Sequence, residues 1–149
     1  LSNSEIDTVF WNAAAPGMPT EGIKEFLGYL KNKGIRTGVI SNICYDFSVV
    51  AERINRLLPE NAFEFIITSS NYIFRKPNKR IFDLALEKAG LEPDEVWYIG
   101  DQYECDVKGA LNAGLFPVWY IGAIDLPYTE DTNILTVKTW NEIERYMEG

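Results

Sequence analysis

One stretch narrows the folds open to this chain more than any other: Val96 to Gly114, V-W-Y-I-G-D-Q-Y-E-C-D-V-K-G-A-L-N-A-G. Its apolar start, Val96-Trp97-Tyr98-Ile99, is long enough for one buried strand and is closed by Gly100. Asp101 follows at once, and Asp106 comes five residues later. Val107, Ala110 and Leu111 then recur at helical spacing up to Gly114, a residue suited to the left-handed turn that ends a helix. A carboxylate thus stands at the carboxyl end of a strand of the parallel kind, and a second falls in the first turn of the helix that should follow. Ligands of open α/β sheets bind along that edge. Asp101 also reads as a plain helix cap, a role Asp often fills, and this stretch alone leaves both readings open.

Elsewhere, short apolar runs alternate with amphipathic ones. Leu1 to Ala15 reads as a helix with Ser4 as its cap and Ile6, Val9 and Phe10 on one face; Pro16, Gly17 and Pro19 break it. Thr20 can cap a second helix, whose Ile23, Phe26, Leu27 and Leu30 form an apolar stripe ending at Gly34. Ile35 to Ile40 reads as a strand with Ser41-Asn42 at its end, and a helix runs from Phe47 to Leu58. Phe63 to Thr68 is a second strand. The loop after it contains Arg75-Lys76-Pro77, and Asn78 caps a helix over Lys79 to Ala89 that Gly90 ends. Phe116 to Ile121 reads as a further strand, with Pro117 placing it near a sheet edge or at a strand start. Gly122 to Asn133 is an irregular acidic loop. Ile134 to Val137 is a short last strand, and Thr139 to Met147 a closing helix with Trp140, Ile143 and Met147 inward. This order predicts an α/β, Rossmann-like parallel sheet flanked by helices.

Composition excludes several chemistries. The 149 residues suit one domain, and 14 basic against 22 acidic residues give a net charge of −8, which argues against nucleic acid as a partner. An anionic substrate therefore needs local positive charge, from a metal or a placed lysine. Histidine is absent, which removes Ser-His-Asp and Cys-His catalysis and the commonest zinc ligand. The two cysteines, Cys44 and Cys105, suit neither a zinc site nor a disulfide framework and read as small buried hydrophobes. No run reaches membrane-spanning length and no signal peptide is visible, so a cytoplasmic, membrane-free protein is expected.

Ser41 with Asn42, Lys76, and Asp101 with Asp106 each follow an expected strand on one side of the sheet. A hydroxyl and nearby N–H groups donate to an anionic oxygen. A lysine beside a helix N-terminus supplies compact positive charge. Carboxylates are hard ligands for Mg²⁺ or can orient the lysine. Together they are the parts that stabilise charge on a transferring phosphoryl group.

On these residues the chain resembles the haloacid dehalogenase-like hydrolase superfamily, whose members are mostly Mg²⁺-dependent phosphatases. Gly34 to Asn42 looks like the family's second motif, Arg75-Lys76-Pro77 like its third, and Gly100-Asp101 through Asp106 like its acidic fourth, G-D-x-x-x-x-D. The resemblance runs from about Pro19 to Ile121. It implies that Ser41 and Asn42 bind phosphate, that Lys76 stabilises nucleophile and phosphate, that Asp101 holds Mg²⁺, and that Asp106 supports the metal shell or the lysine. It further implies a small phosphorylated metabolite as substrate. The family's opening D-x-D, which carries the nucleophile, has no counterpart here. The expectation is accordingly a chain lacking that strand and most of a helical cap, with residues 1–18 as the cap's remnant and 19–149 as an incomplete core. Unpaired strand edges left in the core would invite self-association. A non-catalytic binding or assembly module of the same family is the alternative. A receiver-like fold is disfavoured because it places its acidic residues in the first strand.

Overall fold

The computed structural model describes residues 2–125 and 127–149, in two compact units, 1–73 and 74–149. In the first unit the order is α1 (Asn3–Ala14), α2 (Ile23–Asn32), β1 (Thr37–Ser41), α3 (Phe47–Leu57) and β2 (Phe63–Thr68). The second holds α4 (Lys79–Ala89), β3 (Trp97–Gly100), α5 (Lys108–Ala113), β4 (Phe116–Tyr120), β5 (Leu135–Val137) and α6 (Trp140–Glu148). All strand pairs are parallel: β1 with β2, and β4 between β3 and β5. The expected α/β class, with parallel strands flanked by helices, is what the chain adopts.

Local chemistry explains most element ends. Asn78 caps α4 by accepting from Arg80 N at 3.0 Å, and Gly90 closes it in the left-handed conformation at φ 66°. Asp46 caps α3 through Ser48 N at 2.9 Å. Three helix starts differ from expectation. Leu1, where the first helix was expected to start, lies outside the described residues, and Ser2 rather than Ser4 caps α1, in a reciprocal box with Glu5. Glycine, not Thr20, begins α2: Gly22 sits at φ 81° and offers no side chain. The turn after β3 is a π-turn, Tyr103–Val107, so Asp106 lies before α5 rather than in its first turn.

Pro117 was expected at a sheet edge or a strand start, and the structure selects the second, within the central strand. Phe116 N donates to Val96 O, on the β3 side. Alternation then turns Pro117 toward β5, which begins only opposite Val118, so no ladder bond is lost.

In the first unit α1 lies against α3. Arg53 of α3 stacks over the Trp11 ring at 3.2 Å and donates to the carbonyls of Trp11 (2.9 Å) and Ala15. Arg56 reaches Pro16 O at 3.0 Å. Cations on the last carbonyls of a helix complement its dipole. Ile6, Val9 and Phe10 of α1 are exposed. In the second unit the core gathers Ile81, Phe82, Val107, Ala110, Val118 and Ile143, all essentially inaccessible. Of the closing helix's expected inward residues, Ile143 is fully buried, while Trp140 and Met147 are half-buried. Cys44 is exposed and Cys105 half-buried, so neither is the buried hydrophobe expected, and both are free thiols. Cys44 sits in the loop after β1, outside any packed layer.

The Asp46 cap makes a pH prediction. Bonds from Ser48 N, then from the Asn71 side chain and the Ser48 hydroxyl, lower its carboxyl from 3.8 to about 2. A depressed folded-state value means the cap's contribution is complete above the unfolded carboxylate range and is lost as pH falls through about 2. The urea midpoint of the wild-type chain should therefore fall more steeply between pH 4 and pH 2 than that of Asp46→Asn, which caps without titrating.

Candidate active site

Lys76, Asp101 and Asp106 belong to the second unit. Two of them meet directly: Lys76 Nζ donates to Asp106 Oδ1 at 2.6 Å, with side-chain exposures of 11% and 4%. Lys76 comes from the turn before α4, which Asn78 N closes by donating to Arg75 O at 2.8 Å. Asp106 comes from the π-turn, where its other oxygen accepts from Gln102 N at 2.9 Å. The carboxylate is thus held from both sides, by the lysine on one and a backbone N–H on the other.

Two further residues complete this arrangement, neither of them among the expected site residues. The Tyr98 hydroxyl, on β3, accepts from Lys76 Nζ at 2.9 Å and donates to Asp106 Oδ1 at 3.3 Å. Its ring packs edge-on against Phe82, with centroids 5.0 Å apart. Burial first, and then the Asp106 charge, pushes the Tyr98 hydroxyl well above its ordinary range. Gly100 is the second. A Cβ built there would stand 2.3 Å from Asp106 Cγ and 2.5 Å from its Cβ. Only glycine lets the Asp106 side chain lie across the end of β3. Sequence marked Gly100 as a strand boundary, and only the fold shows it as the floor under a carboxylate.

Asp101 stands at the carboxyl end of β3, exposed. Its carbonyl accepts from Trp119 Nε1 at 3.0 Å, which ties its backbone to β4. Its carboxylate makes no hydrogen bond or ion pair among the described residues, and Gln102, not Asp101, precedes the π-turn. The helix-cap reading of Asp101 therefore does not hold. Among the described residues no group of three or more acidic or cysteine side chains is placed to hold a metal ion. The donor set fits a hard cation in one respect: with Asp106 engaged by Lys76, Tyr98 and Gln102, Asp101 offers one uncommitted carboxylate. Mg²⁺ commonly takes only one or two protein carboxylates, the remaining positions going to water and phosphate oxygens.

Ser41 and Asn42 belong to the first unit. Ser41 is the last residue of β1, and Asn42 begins the loop after it. That loop is laced to the turn Ser69–Asn71 that follows β2: Ile43 N donates to Ser69 Oγ at 3.0 Å, Phe47 N to Asn71 Oδ1 at 3.0 Å, and the Ser70 hydroxyl to Tyr45 O. Asn71 Nδ2 donates to Asp46 Oδ2 at 2.8 Å. The strand end that carries Ser41 is thus fixed by its neighbour's loop. Arg75 is exposed.

Residues 14–119 match the family model described as haloacid dehalogenase-like hydrolase. Among curated proteins, the chain is 39% identical over 87 residues to a glyceraldehyde 3-phosphate phosphatase of Methanothermobacter thermautotrophicus, covering 58% of this chain and 37% of that protein. It is 34% identical over 119 residues to the pyrimidine 5'-nucleotidase YjjG of Escherichia coli, covering 77% and 51%. The chain thus spans between about a third and a half of these relatives. Among solved structures, a HAD phosphatase from Thermococcus onnurineus superposes with a TM-score of 0.68 at 26% identity, over 84% of this chain and 56% of that one. A HAD-superfamily hydrolase from Ehrlichia chaffeensis gives 0.70 at 22% identity, over 99% and 76%, a likeness of fold.

Removing one member of a buried, hydrogen-bonded ion pair strands the other charge. Asp106→Ala should therefore lower unfolding stability by about 3–5 kcal/mol, with most of it restored in the double variant that adds Lys76→Met. Gly100→Ala should cost about 1–3 kcal/mol by displacing the Asp106 side chain. Denaturant titrations of the four proteins measure both.

Proposed function

This chain belongs to the haloacid dehalogenase-like hydrolase family, and we propose that the protein it represents is a Mg²⁺-dependent phosphatase acting on a small phosphomonoester. The observation that carries the reading is the buried Lys76–Asp106 pair beside the uncommitted Asp101 carboxylate at one strand end. Relatives named as phosphatases and a nucleotidase support the same class of reaction. Lys76 is the phosphate-binding cation, fixed by Asp106. Ser41 and Asn42 present hydroxyl, amide and backbone donors to phosphate oxygens. Asp101 is the residue that would hold Mg²⁺, which supplies Lewis-acid stabilisation of phosphoryl charge.

Aspartyl-phosphate chemistry requires a carboxylate nucleophile. No D-x-D stands in these 149 residues, so the reading places the nucleophile outside them, with 1–18 as the end of a helical cap and 19–149 as the core. The exposed Ile6, Val9 and Phe10 face of α1 supports that assignment of 1–18. Among the described residues β1 pairs only with β2, and β3 only with β4. Each edge, within its own unit, is open to pairing with another strand or, in the chain by itself, to self-association. No described helix is long and apolar enough to cross a membrane, and two free thiols fit a cytoplasmic setting.

With p-nitrophenyl phosphate and Mg²⁺, these residues alone should show no hydrolysis above background. In the nucleophile-bearing protein, Lys76→Ala and Asp101→Asn should each lower kcat/KM by about 10²-fold or more. Undiminished activity in Lys76→Ala, or robust Asp101-dependent turnover by the chain alone, counts against the assignment.

A further inference from the structure

Beside Lys76 and Asp106 lies a buried polar group to which the roles above give no task, the hydroxyl of Tyr98. We propose that Tyr98 is a positioning residue that fixes the Lys76 ammonium by accepting one of its protons while donating its own to Asp106. The proposal rests on the reading of Lys76 as the phosphate-binding cation.

Three contacts close a ring: Lys76 Nζ to Asp106 Oδ1 at 2.6 Å, Lys76 Nζ to Tyr98 Oη at 2.9 Å, and Tyr98 Oη to Asp106 Oδ1 at 3.3 Å. Packing alone does not require the oxygen, because the edge-on contact with Phe82 is made by the ring. A phenylalanine would keep that contact, whereas a hydroxyl buried without partners is costly. Here the hydroxyl finds both partners, one as acceptor and one as donor.

The consequence for Lys76 is geometric. A lysine is a point charge on a flexible four-carbon stem. Bonded to one carboxylate oxygen, its ammonium can swing about that oxygen. Held also by Tyr98, which lies on β3 rather than on the lysine's own loop, it gains an anchor beside Asp106. Sharing Oδ1 with the tyrosine proton also spends part of the Asp106 charge on Tyr98, so less of the lysine's charge is cancelled by its partner. Burial and the neighbouring carboxylate keep the phenol protonated through neutral pH, so the donor to Asp106 is always present.

In the unaltered chain, ¹⁵N-labelled at lysine and held at low temperature near neutral pH, the Lys76 ammonium should give a slowly exchanging signal with an Overhauser contact to the Tyr98 ring. Absence of that contact overturns the proposal, whatever the variants do. Tyr98→Phe should broaden the signal and, in the nucleophile-bearing protein, lower kcat about tenfold on p-nitrophenyl phosphate. KM should change by less than about threefold, a split that general loosening of the core does not produce. If Lys76→Met abolishes activity while Tyr98→Phe keeps wild-type kcat and an unchanged ammonium signal, the proposal fails and the phosphatase reading stands. If Lys76→Met keeps full activity, Lys76 binds no phosphate, and both fall together.

Discussion

A lysine and an aspartate that share a proton contact out of water are the interaction on which the second unit turns. Neither charge tolerates burial alone. Their pairing therefore dictates much around it: glycine at 100, a turn one residue wider than an α-helix over Tyr103–Val107, and a backbone N–H at Gln102 turned inward. Each of these costs something in isolation. Glycine weakens a strand, and a π-turn is a poorer helix start. Such local departures from structural preference gather where a chain does chemistry.

The arrangement also separates the two acidic residues by environment. One sits deep, bonded on both oxygens, and serves as an anchor. The other stands exposed with its carboxylate uncommitted and only its backbone secured, through the Trp119 indole. Five residues of sequence divide them, and the π-turn converts that spacing into opposite environments. An anchored carboxylate and a solvent-facing one can thus come from one short loop.

Much of the framework was legible in the residues. Strand β2 and helix α4 run over the expected spans, because β-branched and aromatic runs bounded by turn residues, and an Asn cap with a closing Gly, are local signals. The Gly-Asp pair where β3 ends was visible for the same reason. What escaped were features set by tertiary contact. Whether Ser2 or Ser4 caps α1 depends on which one Glu5 can reciprocate. Gly22 starts α2 because the backbone there is left-handed, which suits glycine and not a capping side chain. Tyr98 looked like one apolar residue in an apolar run; its hydroxyl acquires meaning only when Lys76, twenty-two positions earlier, arrives beside it.

Pro117 shows how a single ring can govern a neighbouring element. Its nitrogen, lacking a proton, faces the side on which β5 would have to continue if it began before Leu135. Lengthening that strand backward would set a carbonyl against a position that has nothing to give it. The imino acid thereby fixes where sheet geometry ends and leaves the preceding segment outside the ladder's control. That segment is tied to the sheet by side chains instead: Tyr128 packs edge-on against Trp119, and Asp131 accepts from the Tyr103 hydroxyl.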